Sequence, residues 1–155
     1  MSIYGQGTFT IVAMNTRKGA FDVYNQEVSG ANYTVFPNQK YWHTENGYLN
    51  LANPQRTQHI LYGDATGGGH MWPGEPGKTT FPQGWSAEKI MHEVSDIATD
   101  TSLKWIRQTG EAGNLFTKAG KPARFLVEGV RDGVYIRVII EPTGEGIITG
   151  FPFKP

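Results

Sequence analysis

His59 and His70 frame the segment His59-Ile-Leu-Tyr-Gly-Asp-Ala-Thr-Gly-Gly-Gly-His70. Imidazole titrates nearest to neutrality, so a pair suits a reaction in which one group takes a proton and another gives one. RNA cleavage through its own 2′-hydroxyl is such a reaction. One imidazole removes the 2′-OH proton and the other protonates the departing 5′-oxygen. Backbone N–H groups of Gly67, Gly68 and Gly69 can cradle a phosphate oxygen, and a lysine can steady the charge that builds on phosphorus. Spacing alone does not choose between this reading and a pair of merely hydrogen-bonded histidines. The other two histidines carry less. His92 lies in a helical pattern among charged neighbours and reads as a solvated or cap-side residue. His43, in the turn-like Trp42-His43-Thr44-Glu45-Asn46-Gly47, reads as structural or incidental.

Other chemistries fit these residues less well. His59 and His70 as metal ligands would need a third, and Asp64 is the only acid between them; no H-x-x-x-H or H-E-x-x-H spacing exists. No metal and no cofactor are therefore expected. Gly77-Lys78-Thr79 evokes a phosphate loop, but the Walker spacing would require glycine where Trp72 stands. The absence of cysteine excludes disulfides, thiolate metal sites and a cysteine nucleophile. No G-x-S-x-G elbow is present.

The elements that must position these groups read as α+β. The strand pattern begins at residues 8–14, TFTIVAM, and continues at Ala20–Val28 and Tyr33–Phe36, with Tyr41, Trp42 and Tyr48 adding an aromatic layer. That layer is core or a stacking surface for bases or sugars. Asn53-Pro54 predicts a helix start, with a short helix from Pro54 to Tyr62 ended by Gly63. From Gly63 up to Phe81, Gly63 included, stand eight glycines and prolines. A loop this long in a small domain is usually functional, and Trp72, Phe81 and Trp85 would pin it. Ser86 predicts an N-cap for an amphipathic helix over Ala87–Thr99, followed by a turn of helix over Thr101–Gln108. Phe125–Val130, Val134–Ile140 and Gly146–Phe151 alternate as three strands of an antiparallel meander, with Asp132-Gly133 as a tight hairpin turn. We divide the chain into an N-terminal β-rich lobe or extension, 1–55, and a second domain, 56–155.

With 155 residues, 14 basic and 14 acidic, the formal net charge is zero. That counts against an indiscriminate nucleic-acid binder but not against an enzyme gripping a few phosphates. No basic, apolar leader opens the chain and no apolar run is long enough to cross a bilayer, so no membrane partner is expected.

Four blocks carry a resemblance: His59-Ile-Leu-Tyr-Gly63; Gly67-Gly-Gly-His70; Gly77-Lys78-Thr79-Thr80-Phe81-Pro82-Gln83-Gly84-Trp85; and Ile147-Ile148-Thr149-Gly150-Phe151-Pro152. In this order, over about Arg56–Pro152, the chain resembles the bacterial branch of the EndoU endoribonucleases, often the toxin tips of contact-dependent or secreted polymorphic toxins. The resemblance implies a two-lobed α+β fold and a metal-independent His-His-Lys centre. It also implies cleavage of single-stranded RNA, commonly after uridine, leaving a 2′,3′-cyclic phosphate. By position His59 and His70 become the acid–base pair and Lys78 the electrostatic stabiliser. Thr149 helps to hold phosphate or read the base. Gly68, Gly69, Thr80 and Phe151 become substrate-binding residues. One departure stands out: Phe151-Pro152 replaces the usual Tyr-Pro, which keeps a flat face for stacking but loses a hydroxyl. The implied partners are RNA, single-stranded or a transfer-RNA loop, and an immunity protein covering the cleft. The implied setting is secretion or delivery into a target cell.

Outside these blocks, Lys118, Lys121 and Arg124 form the best further candidate for RNA contact. Arg124, Arg131 and Arg137 line an RNA groove or, more simply, are solvated faces of strands. The rival from another class is a non-catalytic RNA- or glycan-binding module built on the aromatic N-terminal layer.

Overall fold

Asn53 and Ser86 start two helices by the same device. Each sits in extended backbone and its side-chain oxygen accepts a backbone N–H three residues on, from Arg56 and Lys89 respectively. The computed structural model describes residues 42–43, 48–100 and 102–155. In chain order the elements are β1 (Trp42–His43), β2 (Leu49–Asn50), α1 (Pro54–Leu61), α2 (Ala87–Ala98), β3 (Ile106–Arg107), β4 (Phe125–Arg131), β5 (Val134–Glu141) and β6 (Gly146–Pro152). The strands expected at residues 8–14, 20–28 and 33–36, and Tyr41 of the aromatic layer, lie outside the described residues.

The α+β expectation holds. β3 to β6 form one antiparallel sheet in sequential order, and β1 pairs with β2 apart from it. The three meander strands end within a residue of their expected limits. Asp132 and Gly133 join β4 to β5 with φ of 48° and 80°, the two positive values that a type I′ turn requires. α2 lies across β4, β5 and β6, while α1 packs on β6. Ile90, Val94 and Ile97 are fully buried beneath α2, each contributing about 1.5–3 kcal/mol of apolar burial. Gly150 allows this approach, since a Cβ there would lie 3.0 Å from the Val94 methyls.

Three expectations are corrected. The turn of helix expected over Thr101–Gln108 is not formed by its described residues, 102–108: Ile106 and Arg107 pair with Leu126 and Phe125 as an edge strand. Trp105 is buried against the Phe125 ring while Ile106 is exposed, and the pairing partner, not a helical pattern, decides the conformation. His92 is not simply solvated. Its Nδ1 accepts the Leu49 N–H at 3.1 Å, and its ring packs at 5.2 Å on Tyr48, tying β2 to α2. The neighbouring Leu51 N–H donates to Ser95 Oγ at 2.9 Å, and Leu51 joins the core under α2. Finally, the long loop is pinned by Phe81 and Trp85, stacked and buried, whereas Pro82 and Trp72 are exposed, Trp72 by 48%.

The C-terminal arginines are engaged in ion pairs. Arg131 pairs with Asp96 and Asp100 of the α2 region, Arg124 with Glu141, and Arg137 with Glu128. Lys118 and Lys121 are exposed, with Lys118 3.5 Å from Glu111. Among the described residues no helix is long and apolar enough to cross a membrane.

Candidate active site

The end of α1 builds the first half of the site. Helix ends leave carbonyls without intrahelical partners, and here the glycine-rich segment supplies the donors. Gly69, His70 and Met71 donate their N–H groups to the carbonyls of His59, Ile60 and Leu61 at 2.9, 2.8 and 3.1 Å. The chain must first reverse. Gly63 does so with φ of 87°, its N–H shared between the carbonyls of Gln58 and His59. A tight turn follows, in which Asp64 and Gly67 exchange both backbone hydrogen bonds. Gly68 then passes so close to α1 that a Cβ would overlap the His59 carbonyl and stand 3.1 Å from His59 Cδ2.

These constraints bury His59 and His70 to 8% and 7% exposure, each ring held through Nδ1. The His59 Nδ1 lies 3.0 Å from Asp64 Oδ1, and the same oxygen accepts Thr66 N–H at 2.9 Å and Thr66 O–H at 2.6 Å. Hydrogen bonds from Thr66 and His59 hold the Asp64 carboxyl down at about 2. It is therefore ionised at neutral pH and accepts the proton of His59 Nδ1. The anchor of α1 lies one turn earlier: Arg56 forks onto Glu145 at 2.9 and 3.0 Å, joined by Asn53 at 3.2 Å, fixing the helix to the β5–β6 turn.

His70 is held differently. Its Nδ1 lies 2.8 Å from the Thr79 carbonyl, which can only accept, so the proton sits on Nδ1, and the Nε2 lone pair has no hydrogen-bond donor among the described residues. The Phe81 N–H returns to the His70 carbonyl at 2.9 Å, so the Lys78–Phe81 strip is pinned alongside His70. Burial lowers the His70 titration below the ordinary imidazole value. The Thr79 bond opposes this, and the charges of Lys78 and His59 add to it. From β6, Phe151 stacks on the His70 ring at 5.5 Å between centroids and 27° between planes.

Of the residues expected from sequence, the structure thus groups His59, His70, Lys78, Phe151 and the glycine segment. Lys78 is exposed, with Nζ 3.5 Å from where a Cβ on Gly67 would stand. Thr149 pairs with Ile139 and shares the face of β6 that carries Phe151, two residues on. Thr80 packs its methyl against Gly74. The expected three-N–H cradle is corrected. Gly67 N–H donates to Asp64 and Gly69 N–H to His59, so only the Gly68 N–H lacks an acceptor among the described residues. Sequence reading missed Asp64 and Thr66 as the partners of His59. Asp-Ala-Thr-Gly just past a helix end is a turn in which the acid holds its own backbone, and that signal was available. It also missed the Thr79 carbonyl, which no side-chain pattern reveals. Among the described residues, no three of His, Asp and Glu are grouped to hold a metal ion.

A sequence model of the family described as Bacterial EndoU nuclease matches residues 71–154, more than half of the 155-residue chain. The match includes Lys78, Thr80, Thr149 and Phe151 and begins directly after His70. No curated protein and no solved structure matches the chain.

Proposed function

We propose that this chain, which belongs to the bacterial EndoU nuclease family and so carries a nuclease domain, cleaves single-stranded RNA without a metal, using His70 as base and His59 as acid. The observation that carries the assignment is the contrast between the two Nδ1 partners: a neutral carbonyl at His70 and a carboxylate at His59.

His70 Nε2, free and neutral at pH 7, takes the proton from the ribose 2′-hydroxyl. The 2′-oxygen attacks phosphorus, and the bond from phosphorus to the 5′-oxygen breaks. His59 Nε2 gives its proton to that leaving oxygen, so the products are a 2′,3′-cyclic phosphate and a 5′-hydroxyl. Asp64 keeps the His59 proton-bearing Nδ1 in place and supplies the opposite charge while the ring is an imidazolium. The Lys78 ammonium at the mouth of the site faces the extra charge on the phosphoryl oxygens. Phe151 offers a flat face for a uracil, a preference to which Thr149 on the same strand face contributes a polar group. The biological reading we favour is a toxin domain delivered into a target cell and silenced by an immunity protein that covers this cleft.

The test is single replacement of each histidine by alanine. Each variant should cleave a uridine-containing oligonucleotide about 10²- to 10⁴-fold more slowly, the usual contribution of a general acid or base. Full activity in both variants would end the assignment. Binding without shortened products in the unaltered protein would instead favour a binding module.

A further inference from the structure

The face of the sheet that carries Phe151 does not end at the histidines. Register pairs Phe151 with Arg137, and the Phe153 N–H donates to the Tyr135 carbonyl at 2.9 Å, continuing the ladder by one more pair. Residues opposite one another share a face, so Phe151, Arg137, Phe153 and Tyr135 lie in one row leading away from His70. The Arg137 guanidinium covers the Phe153 ring at 4.2 Å, and Tyr135 meets that ring edge-on at 5.9 Å. Tyr135 is 42% exposed. A cavity of about 410 Å³ opens here, lined by Glu128, Gly129, Val130, Tyr135, Arg137 and Phe153.

We infer that this cavity is a second nucleotide subsite, in which the base next to the one on Phe151 stacks against Tyr135 and Phe153 while Arg137 holds the phosphate joining the two. This rests on the reading of His59 and His70 as an RNA-cleaving centre. Residues two apart on a strand are roughly 7 Å apart, a span that one nucleotide of extended single-stranded RNA covers. Glu128 takes the Nε edge of Arg137 and fixes its plane. The two Nη groups make no hydrogen bond among the described residues, leaving their donors for a phosphate. The ion pair also leaves the face with little net charge, so RNA is held through stacking and one fixed fork rather than a broad basic patch.

Anisotropy of a labelled 2′-O-methyl hexauridine, which has no 2′-hydroxyl and cannot be cleaved, tests this apart from catalysis. Tyr135→Ser should weaken binding about 10-fold, the loss of one base's stacking. Tyr135→Phe, which keeps the flat face, should bind like the unaltered protein. Arg137→Gln should weaken binding and reduce the salt dependence by about one phosphate contact. Equal binding by all variants, or no binding by the unaltered protein, overturns the subsite. If the binding losses appear but the unaltered protein cleaves no RNA, the subsite stands and the catalytic reading falls.

Discussion

The regions around His59, at the end of α1, and His70 share one loop, yet they treat an imidazole in different ways. At His59 the ring meets an ionised carboxylate that is itself held by Thr66; at His70 it meets a peptide carbonyl, with Lys78 and the His59 charge nearby. Both rings are buried to nearly the same extent. With exposure so similar, the clearest difference between them is the partner at Nδ1. A carbonyl fixes the tautomer but brings no full charge, and it offsets only part of the burial that favours the neutral His70 ring. A carboxylate fixes the tautomer and sets a full negative charge beside the His59 ring. Two similar histidines thereby become suited to two different proton-transfer jobs.

The shared backbone is where both regions break together. Gly68 adopts φ of 81° against the His59 carbonyl. Gly68→Ala should cost about 3 kcal/mol or more from overpacking and a left-handed backbone, lowering the unfolding midpoint and removing most cleavage. An alanine variant as stable and active as the unaltered chain would contradict the close packing. Asp64→Asn probes the His59 side alone. The amide can still accept from Nδ1 but carries no charge, so turnover should fall on the order of 10-fold, a part of the full effect of a general acid. Unchanged turnover would mean that the charge of Asp64 does not matter.

The smallest effect sharpens the His70 side. Its proton affinity is depressed when folded, so the folded state favours the neutral ring. The resulting stability is complete above the unfolded value of about 6.5 and is lost as pH falls through the lower folded value. The acidic limb of the kcat/KM profile should therefore lie below about 6.5. Lys78→Gln removes one cause of the depression and should move that limb upward by a fraction of a unit, besides lowering the rate. A limb that stays in place would separate Lys78 from His70. The Asp64 contribution behaves differently: present above the ordinary aspartate range, it is lost only as pH falls through about 2, outside the range where activity is measured.

What was legible in the sequence was local. The caps at Asn53 and Ser86, the positive-φ pair Asp132-Gly133 and the period-two strands are written in short-range pattern, and each was found within a residue or so. Trp105 and Ile106 were misread because a two-residue edge strand has too few residues to display a period. The arginines of β4 and β5 were read as groove or solvent because their carboxylate partners, such as Asp96 and Asp100 for Arg131, lie far along the chain. In the site, the histidines stood out by type, and the glycines by their run. What those glycines do was not legible: most of their N–H groups close the end of α1 or the Asp64 turn rather than waiting for phosphate.

The central claim is that the two histidines transfer protons in a cleavage that uses the RNA's own 2′-hydroxyl. Its most direct test is mass analysis of the ends produced from a uridine-containing oligonucleotide in excess EDTA. The account predicts a 2′,3′-cyclic phosphate on one fragment and a 5′-hydroxyl on the other. Fragments ending in a 3′-hydroxyl and a 5′-phosphate, or cleavage only on addition of a divalent ion, would contradict it.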